Sequence, residues 1–363
     1  MALDKLDITG DLKSFQFENG VDISHWHLLP LRERSKGLMV TACAHAVFFC
    51  KLLHSMRKEK DKKSCLESGM SRLLLGHHRE WLKVGIIGGG HTGRQLALAL
   101  KELSGIPAED IHISTRRPET LKDLQELGMD CFYNNGRVAA WADVLFLCCL
   151  PSHLPSICSE ICTNLPEYCI VYSLVSAVPI PRLKQLLSHN SIVRPKYQFQ
   201  SEFHGFQWGT QGTIIAALQD KAAVQATCPW SPKGGITMNA TWFGTVAYAA
   251  LNCCKAWSLA HREALQLLND VILRPLAQNQ EQTPYPLFVR ENFINKTFAS
   301  TMAEDETFPW FDLTVVQSRE TPLSRLLTSR AEVRDTLAQV YCAFFGASLE
   351  KRGEHCLVVS SGT

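Results

Sequence analysis

The residues with the clearest chemical meaning form a glycine-rich loop between an apolar stretch and a helix-like stretch. It reads Lys83-Val-Gly-Ile-Ile-Gly-Gly-Gly-His-Thr-Gly93. Gly88, Gly90 and Gly93 have the G-x-G-x-x-G spacing, which permits a sharp turn, a close approach of the backbone to a pyrophosphate, and tight packing of the helix on the sheet. The free amides at the start of the helix, near His91 and Thr92, then bind the pyrophosphate. The pattern predicts a dinucleotide-binding site.

The residues at the end of the second predicted strand and directly after it indicate which dinucleotide binds. They are Ser114, Thr115, Arg116 and Arg117. A site for NAD(H) places Asp or Glu here to accept a hydrogen bond from the ribose 2′-hydroxyl. Two guanidinium groups without a carboxylate instead suit a 2′-phosphate, which arginine pairs with bidentately. We therefore expect NADP(H) as the cofactor; the alternative is that the two arginines are only a solvated start of the next helix.

Strands and helices alternate after this loop, and the strands are nearly all apolar. The predicted strands are Val84–Ile87, Ile111–Ser114, Asp130–Tyr133, Val144–Leu150 and Cys169–Val175, and the predicted helices are Thr92–Leu103, Pro118–Leu127 and Ile157–Leu165. Apolar strands separated by helices are typical of a parallel sheet covered on both faces. The sequence predicts an α/β fold with a Rossmann-type NADP-binding domain over residues 81–235.

The regions on either side of this domain lack strand signals. Residues 1–80 are predicted to be an amino-terminal extension, with a helix over Lys36–Arg57 and a polar linker over Lys58–Ser71. Residues 236–363 are predicted to be a mainly α-helical domain for substrate binding and dimerisation. Its helices are expected within Thr241–Leu268 and Leu323–Phe345.

Composition narrows the classes of partner. The net charge of +2 gives no support for nucleic-acid binding. The 14 cysteines include no C-x-x-C pair and several lie in apolar runs, so we expect reduced, packed thiols and no metal site.

Met1–Gly20 is polar rather than a cleavable signal peptide, which predicts an intracellular, cytoplasmic protein. Thr241–Ala260 is long enough to span a membrane, but it contains Asn252 and Lys255, so a buried helix and no membrane partner are expected.

Between Lys83 and Leu187 the chain resembles the pyrroline-5-carboxylate reductase family. The glycine loop matches the opening of that family, and Ala142–Pro151 resembles its fourth strand. Within that match, Cys148 and Cys149 end the strand at the edge where open α/β sheets bind ligands.

The resemblance also implies roles for three further residues. Asn135 falls where the family has an asparagine near the adenosine ribose. Ser176 and Ala177 occupy the small-residue turn beside the nicotinamide. The activity it implies is hydride transfer from C4 of the nicotinamide to the carbon of a C=N bond in a small cyclic imine, which would place the protein in proline metabolism. It further implies that Thr241–Ala260 packs against a second copy, giving a homodimer or a higher homo-oligomer.

Departures from the family keep two other functions open. Leu150 stands where the family has a lysine, and its late Pro-Gly-Gly-Thr-Thr substrate loop has no counterpart after residue 270. These changes allow a sensor or scaffold that binds NADPH without turnover. A hydroxyacid dehydrogenase is the third hypothesis, because such enzymes have a Lys and Asn pair on the long helix, as Asn252 and Lys255 are here. No catalytic side chain is predicted.

Overall fold

Six short strands form a parallel sheet in the order β3-β2-β1-β4-β5-β6. Their bounds are β1 Val84–Ile87, β2 Ile111–Ser114, β3 Asp130–Phe132, β4 Val144–Leu147, β5 Ile170–Ser173 and β6 Ile192–Val193. The computed structural model describes residues 21–67, 81–200, 206–209, 212–238, 241–277 and 287–347. The strand order reverses between β1 and β4, and a reversal of this kind opens the crevice in which α/β sheets bind ligands.

Helices cover both faces of the sheet and make up most of the rest of the described chain. They are α1 Leu29–Glu67, α2 His91–Leu103, α3 Lys122–Glu126, α4 Asn135–Trp141, α5 Leu154–Ile161, α6 Ile180–Leu187, α7 Ile214–Gln219, α8 Lys221–Thr227, α9 Thr241–Ala256, α10 His261–Ala277, α11 Lys296–Thr301, α12 Leu313–Val316, α13 Pro322–Ser329 and α14 Ala331–Phe344. Two further strands, β7 Tyr197–Phe199 and β8 Ile236–Met238, pair antiparallel.

Side chains that alternate along each strand divide the core in two. Ile86, Phe146 and Tyr172 pack on the face shared with α1, α2 and α9, whereas Leu145 and Val171 pack on the face covered by α4, α5 and α6. This confirms the predicted Rossmann-type sheet followed by a mainly helical region. The fourth strand is shorter than predicted, because the chain turns after Leu147 and the apolar residues up to Leu150 lie in that turn.

The predicted extension contains one helix of 39 residues, α1, and the prediction of a linker is wrong where the structure describes it. Residues 58–67 continue the helix, and residues 68–71 lie outside the described residues. Its charged residues have good helix propensity. Two of them form ion pairs with α10 on the surface: Glu59 with Arg274, and Lys63 with Asp270. The polar, charged residues 58–67 therefore form the exposed end of a long helix rather than a linker.

Helix α1 runs antiparallel to the strands of the sheet. Near its carboxyl end, Arg57 pairs with Asp143 just before β4, at 2.9 Å. Further toward its amino end, Cys43 lies close enough to Cys148, just after β4, to act on the pKa of that thiol. The amino-terminal part of α1 therefore projects beyond the edge formed by the carboxyl ends of the strands, which we call the carboxyl edge.

Burial of α1 is almost complete over its middle turns. Phe48 is fully buried against Trp242 and Phe243 of α9 and against Tyr341 and Phe344 of α14. The segment Ile23–Lys63 is long and apolar enough to cross a membrane, but 83% of its most apolar window is buried inside the protein. That burial favours a core helix.

Helix α9 is also covered within a single chain. Its residues from Trp242 to Asn252 are all buried by neighbours that include α1, α12 and α13. Nothing in the sequence indicated that α1 would lie against this helix, and the helix therefore does not need a second copy to bury its apolar residues. A homodimer remains a prediction, without this argument in its favour.

Replacement of Phe48 by alanine tests whether α1 belongs to the core. Removal of a fully buried phenylalanine costs about 3–5 kcal/mol, so Phe48→Ala should lower the free energy of unfolding by that amount in denaturant titration. The control is Leu31→Ala on the same helix, where the side chain is 53% exposed and the change should stay within about 0.5 kcal/mol. Equal stabilities of the two variants would show that α1 is dispensable to the core.

Candidate dinucleotide site

The glycine loop requires glycine at two of its predicted positions. Gly88 has φ of +110°, and a Cβ there would lie 2.7 Å from the carbonyl oxygen of Cys148. A Cβ on Gly93 would collide with the carbonyl oxygen of Gly88. These contacts pack the start of α2 against the ends of β1 and β4. Gly90 differs, because a Cβ there would meet no atom within 4 Å.

The start of α2 offers unpaired amides to an anion. Gly90 is the N-cap and supplies no side-chain hydrogen bond. The first helical bond runs from the amide of Arg94 to the carbonyl of Gly90 at 2.9 Å, so the amides of His91, Thr92 and Gly93 have no intrahelical acceptor. His91 is exposed and Thr92 half-buried. Amides of this kind, at the positive end of a helix dipole, bind phosphate groups.

Ser114 and Asn135 build the floor next to this loop. The hydroxyl of Ser114 donates to Oδ1 of Asn135 at 2.7 Å and accepts from the amide of Asn134 at 3.2 Å. Nδ2 of Asn135 donates to Glu160 at 2.7 Å. Both side chains are buried and occupied by these bonds, so they fix the ends of β2 and β3 relative to α5. The structure thus brings together two residues that are 21 positions apart in sequence.

Arg116 and Arg117 lie exposed beyond the end of β2. Within the described part of the chain, neither guanidinium makes an ion pair or a side-chain hydrogen bond. The carboxylate of Asp123 on the next helix is paired with Arg94 instead, at 2.7 Å. Thr115 anchors the turn, because its amide donates to the carbonyl of Phe132 at 2.9 Å and its side chain lies against Gly89 of the loop. The turn therefore holds two exposed guanidinium groups, without ion-pair partners among the described residues, beside the phosphate loop.

The residues predicted to lie beside the nicotinamide follow β5, the neighbour of β4 in the sheet. Leu147 and Ser173 are in register on β4 and β5, so the turns that follow these strands are neighbours. Ser176 and Ala177 form an exposed turn in which Ala177 has φ of 61°, a conformation that is uncommon for residues other than glycine. The structure places both turns at the carboxyl edge.

The thiols at this edge are held in the neutral form. Burial raises the pKa of Cys148, and nearby Cys43 and Cys149 raise it further. Burial also raises the pKa of Cys149. A thiol is a poor nucleophile compared with a thiolate, so these cysteines supply an apolar wall rather than a reactive group.

A buried polar network behind this wall was not predicted. Nε2 of His45 faces the carbonyl of Thr227 at 2.8 Å and must donate to it, which leaves Nδ1 to accept from the hydroxyl of Tyr197 at 3.0 Å. Burial lowers the pKa of His45 to about 3, so the ring is neutral. Nearby, the indole of Trp242 donates to the hydroxyl of Tyr172 at 3.1 Å. The sequence showed only a histidine inside an apolar run, which by itself does not reveal partners that lie 152 and 182 residues away.

The Asn and Lys pair of the long helix lies elsewhere. Asn252 forms two hydrogen bonds to the backbone of Phe311, at 2.8 and 2.9 Å, and Lys255 donates to Thr307. Their neighbour Cys253 is close to Arg57 and Asp143, before β4. Both residues therefore hold the 307–311 segment in place at the end of the sheet opposite to the carboxyl edge.

Known proteins show similarity over the site and over the whole chain. A profile of the family described as NADP oxidoreductase coenzyme F420-dependent matches residues 83–176. The pyrroline-5-carboxylate reductase of Coxiella burnetii is 19% identical, with 73% of this chain and 96% of that chain covered and a TM-score of 0.31. The Plasmodium falciparum pyrroline carboxylate reductase with NADP bound is 11% identical, with 73% and 98% covered and a TM-score of 0.29.

One relative matches along nearly the full length. The protein of Mus musculus named NADP-dependent oxidoreductase domain-containing protein 1 is 40% identical over 350 residues, which is 95% of each chain. On that identity and coverage, the chain belongs to the family of NADP-dependent oxidoreductase domain-containing protein 1.

Proposed function

We propose that this protein is an oxidoreductase that transfers a hydride between NADP(H) and a small imine-like substrate of the pyrroline-5-carboxylate type. One observation carries the choice of cofactor: Arg116 and Arg117 are exposed beside the phosphate loop and have no ion-pair partner among the described residues. The name of the mouse relative supports the same cofactor and the same general class of reaction.

The positions of the loops suggest how the dinucleotide lies. The 2′-phosphate would contact Arg116 and Arg117 after β2, and the pyrophosphate would contact the amides after Gly90. The nicotinamide would then lie past the ends of β4 and β5, next to Ser176. Neighbouring strands are about 4.8 Å apart, so β2 and β5 are separated by about 14 Å across the sheet. The dinucleotide would span this distance along the carboxyl edge.

Reduction of a C=N bond asks little of the side chains. The bound cofactor supplies the hydride, and a protonated imine is already electrophilic, so orientation provides most of the acceleration. The chain's contribution is to hold the cofactor in one place and to limit water at the reacting edge. The neutral thiols of Cys148 and Cys149 suit that task because they do not attack the imine carbon.

A sensor or scaffold that binds NADPH without turnover is the second candidate. It is favoured by Leu150, which is 64% exposed after β4 at the position where the reductase family has a lysine. The hydroxyacid dehydrogenase hypothesis loses its support, because Asn252 and Lys255 are bonded to the 307–311 segment.

Cofactor preference tests the proposal directly. We expect NADPH to bind at least tenfold more tightly than NADH in a fluorescence titration, because only NADPH offers a phosphate to the two arginines. Arg116→Ala should remove most of the difference. Arg319→Ala should leave it unchanged, because this exposed arginine follows Gln317, which bonds to β6, four strands away from β2 in the sheet. Equal affinities of the unmodified protein for the two nucleotides would refute the assignment.

The two ends of the glycine loop should respond differently to alanine. Gly93→Ala should lower the free energy of unfolding by about 1–3 kcal/mol, because its Cβ overlaps the backbone of Gly88. Gly90→Ala should cost at most about 1 kcal/mol, the difference between glycine and alanine as N-caps. It should still weaken NADPH binding more than tenfold, because its Cβ would stand where the pyrophosphate passes. An unchanged NADPH affinity in Gly90→Ala would contradict this placement.

Turnover separates the two candidate functions. We expect NADPH to be oxidised when the full-length protein is mixed with pyrroline-5-carboxylate, as measured by the nicotinamide absorbance. Arg116→Ala should raise the KM for NADPH with a smaller effect on kcat, since the arginine is remote from the reacting carbon. NADPH binding without oxidation across a panel of cyclic imines would instead establish the sensor or scaffold.

A further inference from the structure

A cavity of about 390 Å³ lies between the amino-terminal end of α1 and the β7–β8 pair. Its volume is within the range of about 300–1,000 Å³ that is usual for small-molecule sites. The side chains that line it include Glu33, Arg34, Phe199, Phe206 and Trp208. The cavity thus combines three aromatic rings with one carboxylate and one guanidinium group.

The aromatic wall of this cavity is rigidly held. Nε1 of Trp208 donates to the carbonyl of Gly234 at 3.0 Å. The indole lies directly on Gly37 of α1, where a Cβ would come within 2.5 Å of the ring. Phe206 contacts the indole edge-to-face with 4.9 Å between ring centroids, and its amide donates to the carbonyl of Lys233 at 2.9 Å. These contacts preorganise an apolar surface, which reduces the entropy lost when a ligand binds.

The two charged groups of the cavity do not neutralise each other. Arg34 makes no ion pair or hydrogen bond through its guanidinium with any residue that the structure describes. Oε1 of Glu33 accepts a hydrogen bond from the amide of Gly209 at 3.3 Å, but the carboxylate has no cationic partner in the described ranges. One cavity therefore presents an unpaired positive group and an unpaired negative group beside apolar rings. Electrostatic complementarity favours a ligand that carries both charges.

The cavity is separate from the place proposed for the nicotinamide. On α1, Cys43 is the residue that lies near Cys148 at the carboxyl edge. Arg34 precedes Cys43 by nine residues of the same helix, which corresponds to about 14 Å along its axis. The residues that line the cavity are also different from those proposed to bind the dinucleotide.

We propose that this cavity binds a free amino acid in its zwitterionic form. Arg34 would pair with the α-carboxylate, Glu33 would pair with the ammonium group, and an apolar side chain would pack on Trp208 and Phe206. None of the cavity's lining residues is among those proposed to bind the dinucleotide. The site gives the protein a second small-molecule ligand that is recognised by its two charges and its apolar side chain.

Calorimetric titration of the full-length protein with L-phenylalanine and with L-proline tests this proposal. At least one of the two should bind with a Kd below about 1 mM, with or without NADPH present. Phenylacetate, which lacks the ammonium group, and L-phenylalaninamide, which lacks the carboxylate, should each bind at least tenfold more weakly than L-phenylalanine. Binding of the two analogues as tight as that of L-phenylalanine would show an ordinary apolar pocket and overturn the proposal.

Variants of the two charged residues locate the site. Arg34→Gln and Glu33→Gln should each weaken amino-acid binding about tenfold while the affinity for NADPH stays the same. The matched controls are Arg319→Gln and Glu332→Gln, which change exposed residues outside the cavity. Arg116→Ala should weaken NADPH binding and leave the affinity for the amino acid unchanged. The two proposals can therefore fail independently of each other. Absence of binding by both amino acids to the folded protein, or binding that neither cavity variant weakens, would overturn the proposal.

Discussion

Burial of α1 between the sheet and the helical region is the interaction on which the rest of the structure depends. In a single apolar cluster, this helix packs against one face of the sheet and against four helices, α2, α9, α10 and α14. A fully buried apolar side chain contributes about 1.5–3 kcal/mol, and α1 supplies many of them between Val40 and Met56. Without α1, the apolar residues of α9 and the same face of the sheet would be exposed to water.

The same helix also shapes the proposed binding surfaces. Its middle places Cys43 beside Cys148 at the carboxyl edge and His45 in the buried polar network. Its amino-terminal end supplies Glu33 and Arg34 to the cavity at β7 and β8. A segment that precedes the dinucleotide-binding domain in sequence therefore borders both proposed sites.

Charge at the turn after β2 governs the choice of nucleotide in the proposed function. The buried hydroxyl of Ser114 occupies the end of the strand and is used for bonds inside the protein, so the turn is fixed before any ligand arrives. Arg116 and Arg117 then remain in solvent, where an approaching phosphate can reach them. Exposed charges are screened by salt, so the attraction between these arginines and a phosphate should weaken as ionic strength rises.

The sequence by itself determined the sheet, the glycine loop and the polar turn after β2, because strand periodicity, glycine spacing and side-chain charge act over neighbouring residues. The tertiary structure alone decided that residues 58–67 continue a helix and that α1 covers α9. It also decided that His45 meets Tyr197 and Thr227, and that Glu33 and Arg34 share a cavity with Trp208. These contacts join residues more than 150 positions apart, and which apolar faces meet depends on the shapes of all the packed helices together.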